Sequence, residues 1–133
     1  MSIFIDTSAF LAVLDADDAC HEKAKEAWQK LLDADESMVT SNYVLLETVA
    51  LLQNRIGMEA VRLLQEDVVP VLNLLWIDEA MHSAGMSALL AAKRRRLSLV
   101  DYTSFEAMRK SGARTAFTFG GHFREMGFAC IPR

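Results

Sequence analysis

Three acidic residues stand out because of what surrounds them. Asp6 closes the apolar run Ile3-Phe4-Ile5 and leads into Thr7 and Ser8, and Asp101 closes Leu97-Ser98-Leu99-Val100 ahead of Thr103 and Ser104. Glu47 lies in the middle of Tyr43-Val44-Leu45-Leu46-Glu47-Thr48-Val49-Ala50-Leu51-Leu52, which is apolar almost all the way round a helix. A carboxylate at the end of a buried strand stands where open α/β sheets bind ligands, and it serves as a ligand, a base or a helix cap. A carboxylate buried on a helix costs on the order of several kcal/mol unless it has a strong partner. For Glu47 that partner is Arg55 on the same helix, a hydrogen-bond network, or a metal. Three carboxylates in one cleft repel one another and hold their protons more tightly unless a cation joins them. A hard divalent ion with oxygen ligands, Mg²⁺ or Mn²⁺, meets that need and keeps waters for a phosphate substrate. Such a site orients and activates water for in-line attack on a phosphodiester. No serine or cysteine with a companion base and no glycine-rich phosphate loop offers a rival chemistry.

Other polar features carry weaker signals. Asp15-Ala16-Asp17-Asp18 lacks the alternation and turn glycine of a calcium loop, and capping of the next helix by Asp17 or Asp18 accounts for it. Lys93-Arg94-Arg95-Arg96 suits a nucleic-acid backbone or an acidic partner, yet cations at a helix C-terminus are also favoured by the macrodipole. Arg109, Lys110 and Arg114 are further candidates for guiding phosphates. His122, after a glycine pair and without a second imidazole at ligand spacing, reads as a turn residue. His21 and His82 fall on helix surfaces, while Trp28, Trp76 and the seven methionines fit packing positions.

The elements that must position the acids alternate between strand and helix. Strands are expected at 3–5, 37–40, 71–77, 114–119 and 128–131, with 97–101 repeating the pattern of the first. Helices are expected at 9–14, from about 20 to 32, at 43–52, at 58–67 and after Asp78, with Ser41 or Asn42 and Asp78 as N-caps. This alternation indicates a three-layer α/β/α sandwich around a mostly parallel five-stranded sheet. Asp6 and Asp101 would leave neighbouring strands at one sheet edge, and the helix of Glu47 would begin there too.

With 133 residues, 52% hydrophobic and 24% charged, the chain makes one domain spanning 1–133. A net charge of −4 argues against coating nucleic acid by bulk positive charge. Cys20 and Cys130 show no metal spacing and read as reduced core thiols. No basic n-region with an apolar h-region opens the sequence, and no apolar run spans a bilayer, so a cytoplasmic location is expected.

At these residues the chain resembles the PIN domains. Asp6-Thr7-Ser8, Glu47, Ser98-Leu99-Val100-Asp101-Tyr102-Thr103-Ser104-Phe105 and Thr118-Phe119-Gly120-Gly121-His122-Phe123 look like that family's successive motifs, in its order and over the whole chain. The resemblance implies a Mg²⁺- or Mn²⁺-dependent ribonuclease with Asp6, Glu47 and Asp101 as catalytic metal ligands and Ser8 supporting Asp6. It also implies an RNA substrate, contacted by Arg94, Arg95 and Arg96. Small single-domain members are often VapC-type toxins restrained by an antitoxin protein, and commonly form homodimers. The chain departs from the pattern at Gly120, where most members carry a fourth acid. Water or Glu125 could fill that place. A domain that only binds RNA or protein is the alternative that Gly120 motivates, and a phosphatase on a similar sheet is a third.

Overall fold

The computed structural model describes all residues, Met1–Arg133, and contains a five-stranded sheet in the order β3-β2-β1-β4-β5. The strands are β1 (Ser2–Ile5), β2 (Ser37–Ser41), β3 (Asn73–Leu75), β4 (Thr115–Phe117) and β5 (Ala129–Ile131). Every pairing is parallel, so the sheet is wholly rather than mostly parallel. Burial follows from that arrangement: Ile3, Phe4 and Ile5 in the central strand are almost completely enclosed, as expected where helices cover both faces. The helices are α1 (Thr7–Leu14), α2 (His21–Asp33), α3 (Asn42–Arg55), α4 (Met58–Leu63), α5 (Glu79–Ala92), α6 (Leu99–Ser111) and α7 (His122–Glu125). No helix is long and apolar enough to cross a membrane.

The chain runs outward from β1 to β2 and β3, then crosses back to lay β4 on the other side of β1. The carboxyl ends of β1 and β4 therefore flank the switch point of the sheet, where open α/β folds form their binding crevice. Register aligns the two ends. Ile5 pairs with Phe117, and the next amide, Asp6 N–H, donates to the Phe117 carbonyl at 3.0 Å. Asp6 and Thr118 thus emerge side by side.

Several helix starts are set by local chemistry. Ser41 Oγ accepts from Val44 N–H at the head of α3, and Asp78 Oδ1 accepts from Met81 N–H at the head of α5. Gly85 allows α5 to lie close against α6, since a Cβ there would come within 2.7 Å of Thr103 Cγ2 and 3.2 Å of Leu99 Cδ1. Beneath α6 and α7, Phe105 meets Phe123 edge-on at 5.2 Å between centroids, and Phe4 and Phe128 extend the cluster.

The structure corrects several expectations. Residues 97–101 form no strand: Ser98 caps α6 and Asp101 lies in its first turn. The run 71–77 contributes only the short edge strand β3, preceded by a 3₁₀ turn over 69–71. The expected helix 58–67 is an α-helical turn continued by a π-helical stretch over Leu64–Val68. Neither Asp17 nor Asp18 caps α2. Instead Asp18 accepts from Cys20 N–H just before it, closing a turn. Helix α3 buries only Val44, Thr48 and Leu52, leaving Leu46 71% exposed. Trp76, expected in the core, is 68% exposed.

Candidate acidic active site

Asp6 is the most firmly held of the acids. Its Oδ2 accepts hydrogen bonds from Ser8 Oγ at 2.8 Å and from Thr118 Oγ1 at 2.9 Å. Those hydroxyls are themselves fixed by the backbone, because Ser8 Oγ accepts from Phe119 N–H and Thr118 Oγ1 from Gly120 N–H. Each hydroxyl has one proton, and each spends it on Asp6, so the 3.2 Å approach of Ser8 to Thr118 is a packing contact between two occupied groups. Both donors converge on Oδ2, and no side chain hydrogen-bonds Oδ1.

The electrostatics work against the charge on Asp6. Although part of the residue reaches solvent, protein atoms enclose its carboxylate, and this desolvation raises its pKa above the ordinary 3.8. Bonds from Ser8 and Thr118 oppose the rise, and the nearby charge of Asp101 adds to it. The two acids that the sequence places at separate segment starts are therefore electrostatic neighbours, as expected, although Asp101 arrives on a helix rather than a strand.

Asp101 is held by a capping box. Ser98 Oγ accepts from Asp101 N–H, while Asp101 Oδ2 accepts from Ser98 N–H at 2.8 Å and contacts Ser98 Oγ at 3.2 Å. Once again one oxygen is engaged and Oδ1 has no hydrogen-bond partner. Glu47 is half-buried rather than buried, and makes no ion pair with Arg55 or any other base. It lines a cleft of about 430 Å³ with Tyr43, Leu46, His82 and the first residues of α6, Leu99 and Val100. Glu47 thus faces the end of α6 that carries Asp101. The three acids still do not form a closed ligand cluster: no three Asp, Glu, His or Cys side chains come within metal-binding reach of one another.

The donor set nonetheless fits a hard divalent cation. It offers only oxygen, leaves carboxylate oxygens unbonded on Asp6 and Asp101, and carries desolvated like charges with no basic residue in salt-bridge contact. Asp6, Asp101 and Glu47 are the residues that would hold it.

Around this centre, Gly120 leaves open room. A Cβ at that position would lie 3.7 Å from Thr118 Oγ1 and 4.0 Å from His122 Cδ2, both ordinary contacts. Its φ is not among the positive ones, so neither conformation nor crowding requires glycine there. Glu125 does not supply the missing acid. Its Oε2 accepts from Arg94 at 2.9 Å on the exposed surface, a bond that holds its carboxyl below the usual carboxylate range. Arg94, Arg95 and Arg96 are all exposed, and only Arg94 has an ionic partner. Arg109 pairs with Glu106.

Two features were not singled out from the sequence. Thr118 is a direct partner of Asp6; its signal was a hydroxyl immediately after a strand, in the same motif as Gly120. His82 is no idle surface residue, since its Nδ1 lies 2.6 Å from the Tyr43 hydroxyl beside Glu47. His21 Nδ1 likewise lies 2.8 Å from the Ala12 carbonyl and ties α2 to α1.

Comparisons with known proteins agree with this geometry. A family model described as PIN domain matches residues 3–129. The chain is 35% identical over 127 residues to the 23S rRNA-specific endonuclease VapC20 of Mycobacterium tuberculosis, covering 95% of each sequence. The crystal structure of that protein, described as a sarcin-ricin loop cleaving toxin, superposes with a TM-score of 0.80 over 96% of both chains. Two more distant structures share the fold. They are VapBC2 of Rickettsia felis (TM-score 0.72, 11% identity, 98% and 97% covered) and FitAcB of Neisseria gonorrhoeae (0.68, 18%, 98% and 96%).

Proposed function

The chain belongs to the PIN domain family, and we propose that it is a divalent-metal-dependent endoribonuclease that cuts structured RNA as the toxin of a toxin–antitoxin pair. The observation that carries this reading is the strained acid centre. Asp6 is locked in place by Ser8 and Thr118 at the switch point of the sheet, with a raised pKa and a second carboxylate beside it. A fold whose stability is marginal keeps such an arrangement when something positive binds there. Support for the substrate comes from VapC20, a 23S rRNA-specific endonuclease at 35% identity over nearly the full length.

In this reading Asp6, Asp101 and Glu47 hold Mg²⁺ or Mn²⁺, which when bound polarises the scissile phosphate and supplies activated water. The chain's own part is orientation. Ser8 and Thr118 fix Asp6 Oδ2 and leave Oδ1 for the ion, and the Ser98 capping box does the same for Asp101. Exposed Arg94, Arg95 and Arg96 lie on the loop leading into α6 and draw RNA phosphates toward the acids. As a toxin it has an antitoxin protein as partner and acts as a homodimer in the cytoplasm.

A labelled structured RNA incubated with purified protein and Mn²⁺, against an EDTA control, tests the proposal. Cleavage is expected only with metal, and nucleotide monophosphates in the same assay should stay intact. Gly120 favours one second reading, a non-catalytic module that binds RNA without cutting it. Metal-supported RNA binding with no cleavage would establish that reading instead.

A further inference from the structure

The Arg94–Glu125 pair bridges two segments that the acid centre also depends on. Arg94 lies on the loop that ends at Ser98, the cap holding Asp101. Glu125 lies on α7, which begins two residues after Gly120, whose N–H holds Thr118 and through it Asp6. The contact therefore spans the rim of the site. The loop is set by Lys93, which stops α5 in the left-handed conformation at φ 53° and turns the chain toward α7.

Glu125 sits in a cationic setting. After Arg94, its carboxyl is influenced by His122 and then Arg96, both of which favour its charge. On α7 itself, His122 Nδ1 is buried without a hydrogen-bond partner. Positive groups gathered round a single anion beside a phosphodiester site describe a phosphate seat with a carboxylate already in it. A guanidinium offers its donors to a carboxylate or a phosphate in the same forked geometry, so one can replace the other. The pair is also easily opened: the two side chains are 48% and 53% exposed, and ion pairs so exposed add little stability.

We infer that Glu125 stands in for an RNA backbone phosphate: it holds Arg94 at the rim of the free site and yields that place when RNA binds. The inference rests on the RNA-cleaving function proposed above. Holding Arg94 in its working position reduces the side-chain freedom lost on binding, while the acid keeps the seat closed to weaker anions. Glu125 is then a positioning residue and not a fourth metal ligand.

The test uses the full-length Asp6→Asn protein, in which cleavage is blocked, and measures affinity for a labelled structured RNA as salt is varied. Adding Glu125→Gln should tighten binding about threefold to tenfold at low salt and steepen the log–log salt slope by about 0.7, one further phosphate contact. Arg94→Gln should weaken binding and flatten the slope by a similar amount. Glu106→Gln, which frees the remote Arg109, controls for general loss of negative charge. In the Arg94→Gln background the Glu125→Gln gain should shrink to that of the control. In the otherwise unaltered protein, Glu125→Gln should leave the rise in Tm with Mn²⁺ unchanged. A Glu125→Gln effect equal to the control, an undiminished gain without Arg94, or loss of the Mn²⁺ response would each overturn the inference. If the Asp6→Asn protein binds no RNA while remaining folded, the proposed function fails together with it.

Discussion

Asp6 carries two opposed demands, and its protonation makes them measurable. Burial raises its folded pKa above 3.8, so the folded chain holds this proton more tightly than the unfolded chain does. The sign follows: this group disfavours the fold when ionised at neutral pH, and that penalty disappears as pH falls through the raised pKa. Asp6→Asn should therefore raise the Tm of the metal-free protein at pH 7, an advantage that fades on acidification, and should abolish stabilisation by Mn²⁺. Because the ion needs the carboxylate, Mn²⁺ stabilisation of the unaltered protein should grow as pH rises through the same range. A calorimetric pH series with and without Mn²⁺ measures all of these. Thr118→Val tests the hydroxyl that faces Asp6. It removes the bond to Oδ2 and orphans the Gly120 N–H, so a loss of about 1–2 kcal/mol in denaturant unfolding is expected. An unchanged Tm would show that the network contributes nothing.

At the scale of elements, the site depends on where α6 starts and how closely it packs. Ser98→Ala removes both halves of the capping box, with an expected cost of about 1 kcal/mol and a lower Mn²⁺ affinity as Asp101 loosens. Gly85→Val forces α5 away from Thr103 and Leu99, and should cost about 1–3 kcal/mol in chemical unfolding. The same element shows why parts of the chain were hard to read. Leu97 to Val100 is apolar because Leu97 is buried and Leu99 and Val100 line the cleft beside Glu47, and four such residues look alike in a strand or in a first helical turn. The clue that decides it is Ser98 with an acid three residues later, a helix start. Starts governed by neighbouring residues were legible, including Asp78 before α5 and Ser41 before α3. Thr118 as a partner of Asp6 was not, since the two are 112 residues apart and only the β1–β4 register joins them. The exposure of Trp76 and Leu46 was hidden for a similar reason, because an apolar residue in a sequence does not show which face lacks a neighbour.

For the whole molecule, the wholly parallel sheet sets the polarity of function, gathering Asp6, Thr118 and the start of α3 at the carboxyl ends of β1, β4 and β2. Asp6, Ser8 and Asp101 come to that edge as the sequence indicated, but Glu47 stands across the cleft, half-buried and without a partner. The position of Glu47 makes the cooperation of three acids the central claim. It is tested most directly by comparing Mn²⁺-dependent RNA cleavage by the unaltered protein with that of Asp6→Asn, Glu47→Gln and Asp101→Asn, each first shown to be folded by its unfolding curve. Loss of about a hundredfold or more in rate is expected for every one of the three. Cleavage by Glu47→Gln at the unaltered rate would contradict the account, leaving Asp6 and Asp101 to act without it.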